Sequence, residues 1–430
     1  MSAVVHPLAT SSDRAATAEP RPLRTPRVVL GCLTILVVVV SGIAAVWSLD
    51  SSGPATIVPT VSSVQPSYRW AVTTQFSDPS VTQPSSRGQV ECRVQPNCVA
   101  GIFQPTCVDS LRCLAVAMLS GSMGVVATLD GGSSWRTERL PDGLYNLGPL
   151  SCRPSGWCAA VAFGKPASSL ASVLLQTHDL GATWSTATIN GSRAGPEGVA
   201  CPAQGTCLVT APRGGSVLVT HDAGRSWSSA PLPTYGPNSF SPIECASVRT
   251  CWAYGFTQPT TGAAVAYLDR TDNGGESWHS QAFPAILNGP SFGALKCPDR
   301  NTCWITGFHL TGPDATPLGN FMTYRSVNGG ATWTQVVFPN QLLMNTASLG
   351  CTDRSTCWDL AQASHDPGPS MLLTTSDGGA HWASHRIAAK PIPPYNFAVC
   401  PSDQRCLVGT NPYSPRALIA RLDPAPPNGA

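Results

Sequence analysis

The sequence predicts an all-β protein, a seven-bladed β-propeller of four-stranded antiparallel blades preceded by one transmembrane helix. Three observations predict it. A turn-and-tryptophan string recurs with 43 to 55 residues between tryptophans, the period of propeller blades. Cysteines recur in pairs with five residues between partners, in phase with that string. One uncharged run of twenty residues stands near the N-terminus behind a basic flank.

Composition supports the all-β reading. Gly (39) and Pro (40) are both abundant, which suits many short strands joined by turns. Hydrophobic residues make up 42% and recur regularly, so the chain is not of the disordered class. Only 12% of the 430 residues are charged and the net charge is +2, which excludes a basic nucleic-acid-binding surface.

The run 28–47 is long enough to cross a bilayer core as a helix. Arg14, Arg21, Arg24 and Arg27 precede it, and no Lys or Arg follows until Arg69. That asymmetry predicts a single-pass protein of the plasma membrane with a cytoplasmic N-terminus and an extracytoplasmic C-terminal domain. A cleaved signal peptide, the alternative, would have a shorter apolar core and usually a shorter basic head. Val29-Leu30-Gly31-Cys32 has the letters of a lipobox, but the apolar stretch follows the cysteine instead of preceding it. A lipoprotein is therefore rejected. The expected division is a cytoplasmic tail (1–27), the transmembrane helix (28–47), a Ser/Pro/Val/Thr-rich extended linker (48–67), the propeller (68–424) and a C-terminal tail (425–430).

Of the seventeen cysteines, Cys32 falls in the apolar run. The others form eight pairs: Cys92 with Cys98, Cys107 with Cys113, Cys152 with Cys158, Cys201 with Cys207, Cys245 with Cys251, Cys297 with Cys303, Cys351 with Cys357, and Cys400 with Cys406. Zinc ligands are usually spaced by two to four residues and often include His, so metal is not expected. Across a tight hairpin, residues i and i+6 face each other with Cα atoms about 4.5–5.5 Å apart, within disulfide reach. Eight local disulfides in an oxidising compartment are expected, each worth about 2 kcal/mol on chain-entropy grounds.

The second periodic signal is Ser/Thr-x-Asp/Asn-x-Gly-x-x-Trp, at 128–135, 177–184, 220–227, 271–278, 326–333 and 375–382. Its key residues are Asp130 with Trp135, Asp179 with Trp184, Asp222 with Trp227, Asn273 with Trp278, Asn328 with Trp333, and Asp377 with Trp382. The carboxylate or amide accepts backbone N–H bonds and Gly takes the left-handed position, so each string is a turn between two strands. An apolar run precedes each turn, and short strands flank each cysteine pair, giving four strands per repeat. Such a blade cannot bury both faces alone, so blades must stack around an axis. The last repeat lacks a Trp strand, while Tyr68-Arg69-Trp70-Ala71-Val72 is a Trp strand without a turn. Joined in space they complete a seventh blade. Either the Cys92 and Cys98 pair or the Cys107 and Cys113 pair then staples an insertion, and eight blades is the alternative on the cysteine count.

The Asp-x-Gly-x-x-Trp strings resemble the bacterial neuraminidase repeat, or Asp box. Together with the repeated Cys-x5-Cys they look like the actinobacterial branch of the photosystem II assembly-factor-like propellers. That resemblance covers residues 68–423 and implies a propeller fold. It does not fix an activity, because the box also occurs in sialidases, xyloglucan hydrolases and sorting receptors. A sialidase would need three convergent arginines, a Tyr–Glu nucleophile pair and an Arg-Ile-Pro string near the first blade. The only close string is Arg386-Ile387-Ala388, late in the chain.

Glycosidase chemistry needs two carboxylates facing a cleft. Asp130, Asp179, Asp222 and Asp377 are committed to turns, and Glu91, Glu197, Glu244 and Asp314 are expected as solvated loop acids. His178 and His221 precede turn aspartates, and His381 and His385 on a strand make no metal signature. No catalytic residue, metal or cofactor is assigned. The candidate ligand-binding residues lie between each Trp strand and the next inner strand: Tyr145, Asn146, Tyr235, Asn238, Phe240, Asn288, Phe292, Asn345, Tyr395 and Asn396. Aromatics interleaved with amides there would hold a protein or glycan ligand at the propeller mouth. The expected function is thus a non-catalytic binding or assembly scaffold, with a cell-surface glycoside hydrolase as the alternative.

Overall fold

The computed structural model of the chain describes residues 56–57, 60–63, 70–76, 99–102 and 105–424, less 120–121, 165–171, 190–197, 212–214, 234–241, 258–264, 282–291, 309–320, 337, 339–341, 345–347, 364–369, 389–394, 403–404 and 411–418. All of these lie in the unit 52–430. The expected transmembrane run, with Cys32, lies outside the described residues. Among the described residues no helix is long and apolar enough to cross a membrane.

Three strands lead in: β1 (Thr56–Ile57), β2 (Thr60–Ser63) and β3 (Trp70–Phe76). Blade 1 holds β4 (Val99–Ile102), β5 (Thr106–Cys107), β6 (Cys113–Leu119), β7 (Ser122–Thr128) and β8 (Arg136–Glu138), with β4 and β5 both pairing β6. Blade 2 is β9 (Leu144–Cys152), β10 (Cys158–Gly164), β11 (Ser172–Thr177) and β12 (Ser185–Thr188). Blade 3 is β13 (Gly198–Ala203), β14 (Thr206–Ala211), β15 (Ser216–Thr220) and β16 (Ser228–Pro231). Blade 4 is β17 (Ile243–Cys245), β18 (Cys251–Thr257), β19 (Val265–Thr271) and β20 (His279–Ser280). Blade 5 is β21 (Phe292–Lys296), β22 (Cys303–Phe308), β23 (Phe321–Ser326) and β24 (Thr334–Val336). Blade 6 holds β25 (Leu342–Met344), β26 (Gly350–Cys351), β27 (Cys357–Ala363), β28 (Ser370–Thr375) and β29 (His381–Ala388), β25 and β26 both pairing β27. Blade 7 is β30 (Tyr395–Ser402), β31 (Arg405–Thr410) and β32 (Ile419–Pro424), and β3 is its fourth strand.

The ring closes through that last pairing. β3 runs antiparallel to β32 from Trp70 opposite Pro424 to Phe76 opposite Ile419. Part of the stretch read as a linker is also paired: β1 lies parallel to β24, and β2 lies parallel to β29. The N-terminal segment thus passes along the outer strands of blades 5 and 6 before entering blade 7.

Alternation along each central strand sends one set of side chains to each neighbouring blade. Leu114 and Val116 pack with Cys158 and Val173 of blade 2, whereas Cys113 and Ala115 pack with Leu407 and Ile419 of blade 7. Five more such cores join blades 2/3, 3/4, 4/5, 5/6 and 6/7, so seven interfaces form a closed circle. Each fully buried Leu or Val in them contributes roughly 1.5–3 kcal/mol.

The recurring turn has one hydrogen-bond plan. Thr128 Oγ1 donates to Asp130 Oδ1 at 2.8 Å and accepts from the Gly132 N–H at 2.8 Å. Asp130 Oδ1 accepts the Ser134 N–H at 2.9 Å, and Oδ2 accepts the Ser134 hydroxyl at 2.6 Å. Asp179, Asp222, Asn273, Asn328 and Asp377 likewise accept the N–H of the residue four on, Thr183, Ser226, Ser277, Thr332 and His381. Asp179 and Asp222 also accept its hydroxyl, whereas Asn273 and Asn328 donate Nδ2 to it and Asp377 meets the His381 ring. The associated tryptophans seal the interfaces: Trp278, Trp333 and Trp382 are buried, and Trp135, Trp184 and Trp227 pack partly buried on the cores.

Seven of the eight expected disulfides fall among the described residues, and each joins a cysteine to its partner six positions on. Cys107 bonds to Cys113, Cys152 to Cys158, Cys201 to Cys207 and Cys245 to Cys251. Cys297 bonds to Cys303, Cys351 to Cys357 and Cys400 to Cys406. The eighth expected bond, between Cys92 and Cys98, lies outside the described residues. In the seven, the Cα atoms are 3.9–4.2 Å apart. That corrects the expected hairpin spacing of about 4.5–5.5 Å. The Cys107 to Cys113 bond joins β5 to β6 and so holds the repeat position in blade 1. The surplus pair is therefore Cys92 and Cys98.

Candidate functional site in the central channel

A cavity of about 930 Å³ is lined by residues from all seven blades. The repeat explains why. The residue just before the first cysteine of each pair sits on the innermost strand and borders this space: Thr106, Ser151, Ala200, Glu244, Lys296, Gly350 and Val399. Five of these side chains are small or uncharged. Blades 4 and 5 put an acid and a base side by side.

Lys296 Nζ donates to Glu244 Oε2 at 3.2 Å, and both side chains are partly exposed to the cavity. The Glu244 carboxylate holds the Lys296 ammonium above its ordinary range. Arg153, one residue past Cys152, reaches the same space from blade 2, where its Nε donates to the carbonyl of Cys201. Burial lowers the Arg153 pKa, and the charge of Glu244 opposes that effect. Tyr254 of β18 completes the group. Its hydroxyl oxygen accepts the Leu295 N–H at 3.3 Å, and burial raises its pKa. The other acid on the lining, Asp109, is occupied by the N–H groups of Leu111 and Arg112 and by the Arg112 guanidinium at 2.6 Å. Between these groups the lining is mixed polar and apolar: Thr106, Ser151 and Thr352 stand beside Leu150, and the buried core residues Leu147, Val199 and Ile243 back it.

Glu244 was expected to be a solvated loop acid, and the structure corrects this: it is on inner strand β17 and ion-paired in the channel. Among the expected ligand-binding residues, Tyr235, Asn238, Phe240, Asn288 and Asn345 lie outside the described residues. Tyr145 and Asn146 (β9), Phe292 (β21) and Tyr395 and Asn396 (β30) have described backbone, but their side chains lie outside the described set. Sequence reasoning missed Arg153, Tyr254 and Lys296. Lining up the eight cysteine pairs on their first cysteine would have exposed Glu91, Glu244 and Lys296 as the charged residues at one position, the last two of which line the channel.

No group of three or more His, Cys, Asp or Glu among the described residues could hold a metal ion. His381 Nδ1 instead meets Asp377 Oδ2 at 2.6 Å, and His385 Nε2 meets Thr374 Oγ1 at 3.1 Å.

Fold and site define a seven-bladed β-propeller with a mixed-charge channel. Solved structures with the same fold include YCF48 bound to D1 peptide, at TM-score 0.51 and 14% identity, covering 78% of this chain and 99% of that one. YCF48 from Cyanidioschyzon merolae follows at TM-score 0.50 and 16% identity, covering 77% and 97%. A GH74 xyloglucanase from Xanthomonas campestris has TM-score 0.47 and 15% identity, covering 72% of this chain and 50% of that one. At such identities the first two likenesses show the fold alone. No protein-family model matches the chain, and no curated protein matches it in sequence.

Proposed function

We propose that this protein is a non-catalytic binding or assembly scaffold, an Asp-box propeller held outside the plasma membrane by the apolar run 28–47, that receives a protein segment in its channel. The observation that carries this reading is the charge arrangement of the lining. Glycoside hydrolysis needs two free carboxylates on either side of the scissile bond. Here Glu244 is ion-paired to Lys296 and Asp109 is bound to Arg112. What this cavity offers instead is a mixed polar and apolar lining in which Lys296, Glu244 and Arg153 are fixed in place, a make-up suited to binding. The peptide-bound propeller among the similar structures is consistent with this use of the fold. Carbohydrate is the less favoured ligand, because the two aromatic residues on the lining, Tyr254 and Trp358, are buried and offer no open face on which a sugar ring could stack. The test is to incubate the detergent-purified protein with a panel of aryl glycosides and xyloglucan oligosaccharides. No turnover above a denatured control is expected, and saturable hydrolysis would overturn the reading.

A further inference from the structure

We infer that the channel binds an anionic peptide segment, and that Glu244 is a built-in competitor occupying the cationic site that the ligand's carboxylate would take. This deepens the scaffold reading and rests on it.

Two cations and one available carboxylate share the space. Lys296 stands on the inner strand of blade 5 and Arg153 on the cysteine hairpin of blade 2, with Glu244 between them in charge. The fourth charged lining residue, Asp109, is neutralised by Arg112. Among the described residues the lining therefore carries a surplus of one positive charge, in a chain that is only 12% charged. Cations in a confined cavity attract anions more strongly than they would on an open surface. Lys296 has three donors, of which Glu244 takes one, and Arg153 has five, of which the Cys201 carbonyl takes one. Both retain donor capacity for an arriving carboxylate. The mixed polar and apolar lining suits a peptide's backbone and side chains, and its aromatic residues Tyr254 and Trp358 are buried, which separates this ligand from a mononucleotide or an acidic sugar needing a stacking surface.

If Glu244 competes for the site, neutralising it should strengthen binding, the reverse of what a ligand-contacting residue would show. The experiment uses the full-length protein in detergent and fluorescein-labelled octapeptides of Ala, Val and Leu. One pair contains two Asp or two Asn internally, with amidated C-termini. A second pair, otherwise neutral, ends in a free carboxylate or an amide. The pairs separate side-chain from terminal carboxylate as the source of charge. Binding of the charged member is expected to exceed its neutral partner by about tenfold in at least one pair and to weaken with salt. Glu244→Gln should tighten it a further several-fold. Glu244→Gln/Lys296→Met, which removes the ion pair with near-isosteric groups, should weaken it at least tenfold relative to Glu244→Gln alone, as should Arg153→Met/Glu244→Gln. Unfolding curves for each variant separate loss of site from loss of fold. Equal binding of charged and neutral peptides would overturn the anion proposal and leave the peptide scaffold standing. Weaker binding by Glu244→Gln would overturn the competitor role. Binding of no peptide would overturn both the inference and the scaffold reading beneath it.

Discussion

The Asp and Asn turns and the channel ring are built from the same repeat, yet one is nearly invariant and the other is not. In all six turns a Thr or Ser hydroxyl, an Asp or Asn side chain and two N–H groups make the same bonds at 2.8–3.0 Å. At the channel position the seven residues run from Gly350 through Val399 to Glu244 and Lys296. The turn must satisfy backbone donors in every blade, so any departure costs stability locally. A side chain facing the channel meets solvent or ligand, so the fold leaves it free to differ. Uniformity marks the scaffold; difference marks where chemistry can be placed.

The sharpest way to break the scaffold is at its closure. Removing residues through Val72, so that the chain starts at Thr73, deletes three of the seven β3 residues and opens the edge of β32. A chain starting at Ser67 loses β1 and β2 but keeps β3 whole. The Thr73 version is expected to aggregate or melt far lower, a loss comparable with a large part of a typical domain's ~5–15 kcal/mol. The Ser67 version should melt cooperatively and only slightly below the full chain. Equal thermal midpoints for the two would show that β3 does not hold the ring shut.

One glycine tests how tightly neighbouring blades mesh. Gly378 and Gly379 both have left-handed φ, +71° and +88°, so an added Cβ strains either by about 1–2 kcal/mol. They differ in space: a Cβ on Gly379 would lie 2.2 Å from the Trp304 ring of blade 5, against 3.2 Å to its nearest neighbour on Gly378. Trp304 is itself fully buried beside Trp382 and beneath Arg325. Gly379→Ala should therefore cost about 1–3 kcal/mol more than Gly378→Ala by chemical denaturation. Equal costs would mean the interface is slack there.

Much of this architecture was readable because the turn and cysteine strings carry their own geometry. Asp-x-Gly and Cys-x5-Cys each specify a local hairpin, and seven tryptophans in phase, Trp70 among them, set the blade count. The parallel pairing of β1 and β2 was not readable, since a Ser/Thr/Pro-rich stretch has the composition of a free linker whether or not a blade edge receives it. Glu244 and Lys296 are 52 residues apart, and only the stacking of blades 4 and 5 brings them together. Arg153 joins them from blade 2, across the axis rather than along the chain.

An exception inside the core gives a pH signature. Two residues past the second cysteine, the other blades bury Ala115, Ala160, Val209, Ala253, Ile305 and Val408, whereas blade 6 buries Asp359. Ser348 Oγ donates to its Oδ1 at 2.7 Å, while Oδ2 meets no donor among the described residues. Burial raises its pKa from 3.8 to about 7, against the opposing hydrogen bonds of Ser348 and the Leu360 N–H. Between those values the unfolded chain has lost the proton that the folded one keeps, so this residue's contribution to stability falls as pH rises from about 4 to about 7. Asp359→Asn should remove that slope and raise stability at pH 7.5 by on the order of 1–3 kcal/mol. Parallel urea-midpoint profiles for variant and parent across that range would sink the argument.

The smallest effect is expected at a turn, and its sign is opposite. The Ser226 hydroxyl and N–H, together with Thr220, hold the Asp222 carboxyl at about 2, below its ordinary 3.8. The folded state thus prefers the ionised form, and the stability this gives is present above pH 4 and lost as pH falls toward 2. Asn is already the native solution in two blades: Asn273 Oδ1 accepts the Ser277 N–H at 3.0 Å, and its Nδ2 donates to Ser277 Oγ at 2.8 Å. Asp222→Asn should keep the accepted N–H bond and reverse only the hydroxyl bond now made at 2.6 Å. At neutral pH its thermal midpoint should stay within a degree or two of the parent, while Asp222→Ala, which removes the cap, should fall clearly below both. Lowering the pH from 4 to 2 should then destabilise the parent more than Asp222→Asn. If Asn proved as damaging as Ala at neutral pH, the turn would depend on the carboxylate's charge rather than on its hydrogen-bond geometry, and the interchange of Asp and Asn among the blades would lose its explanation.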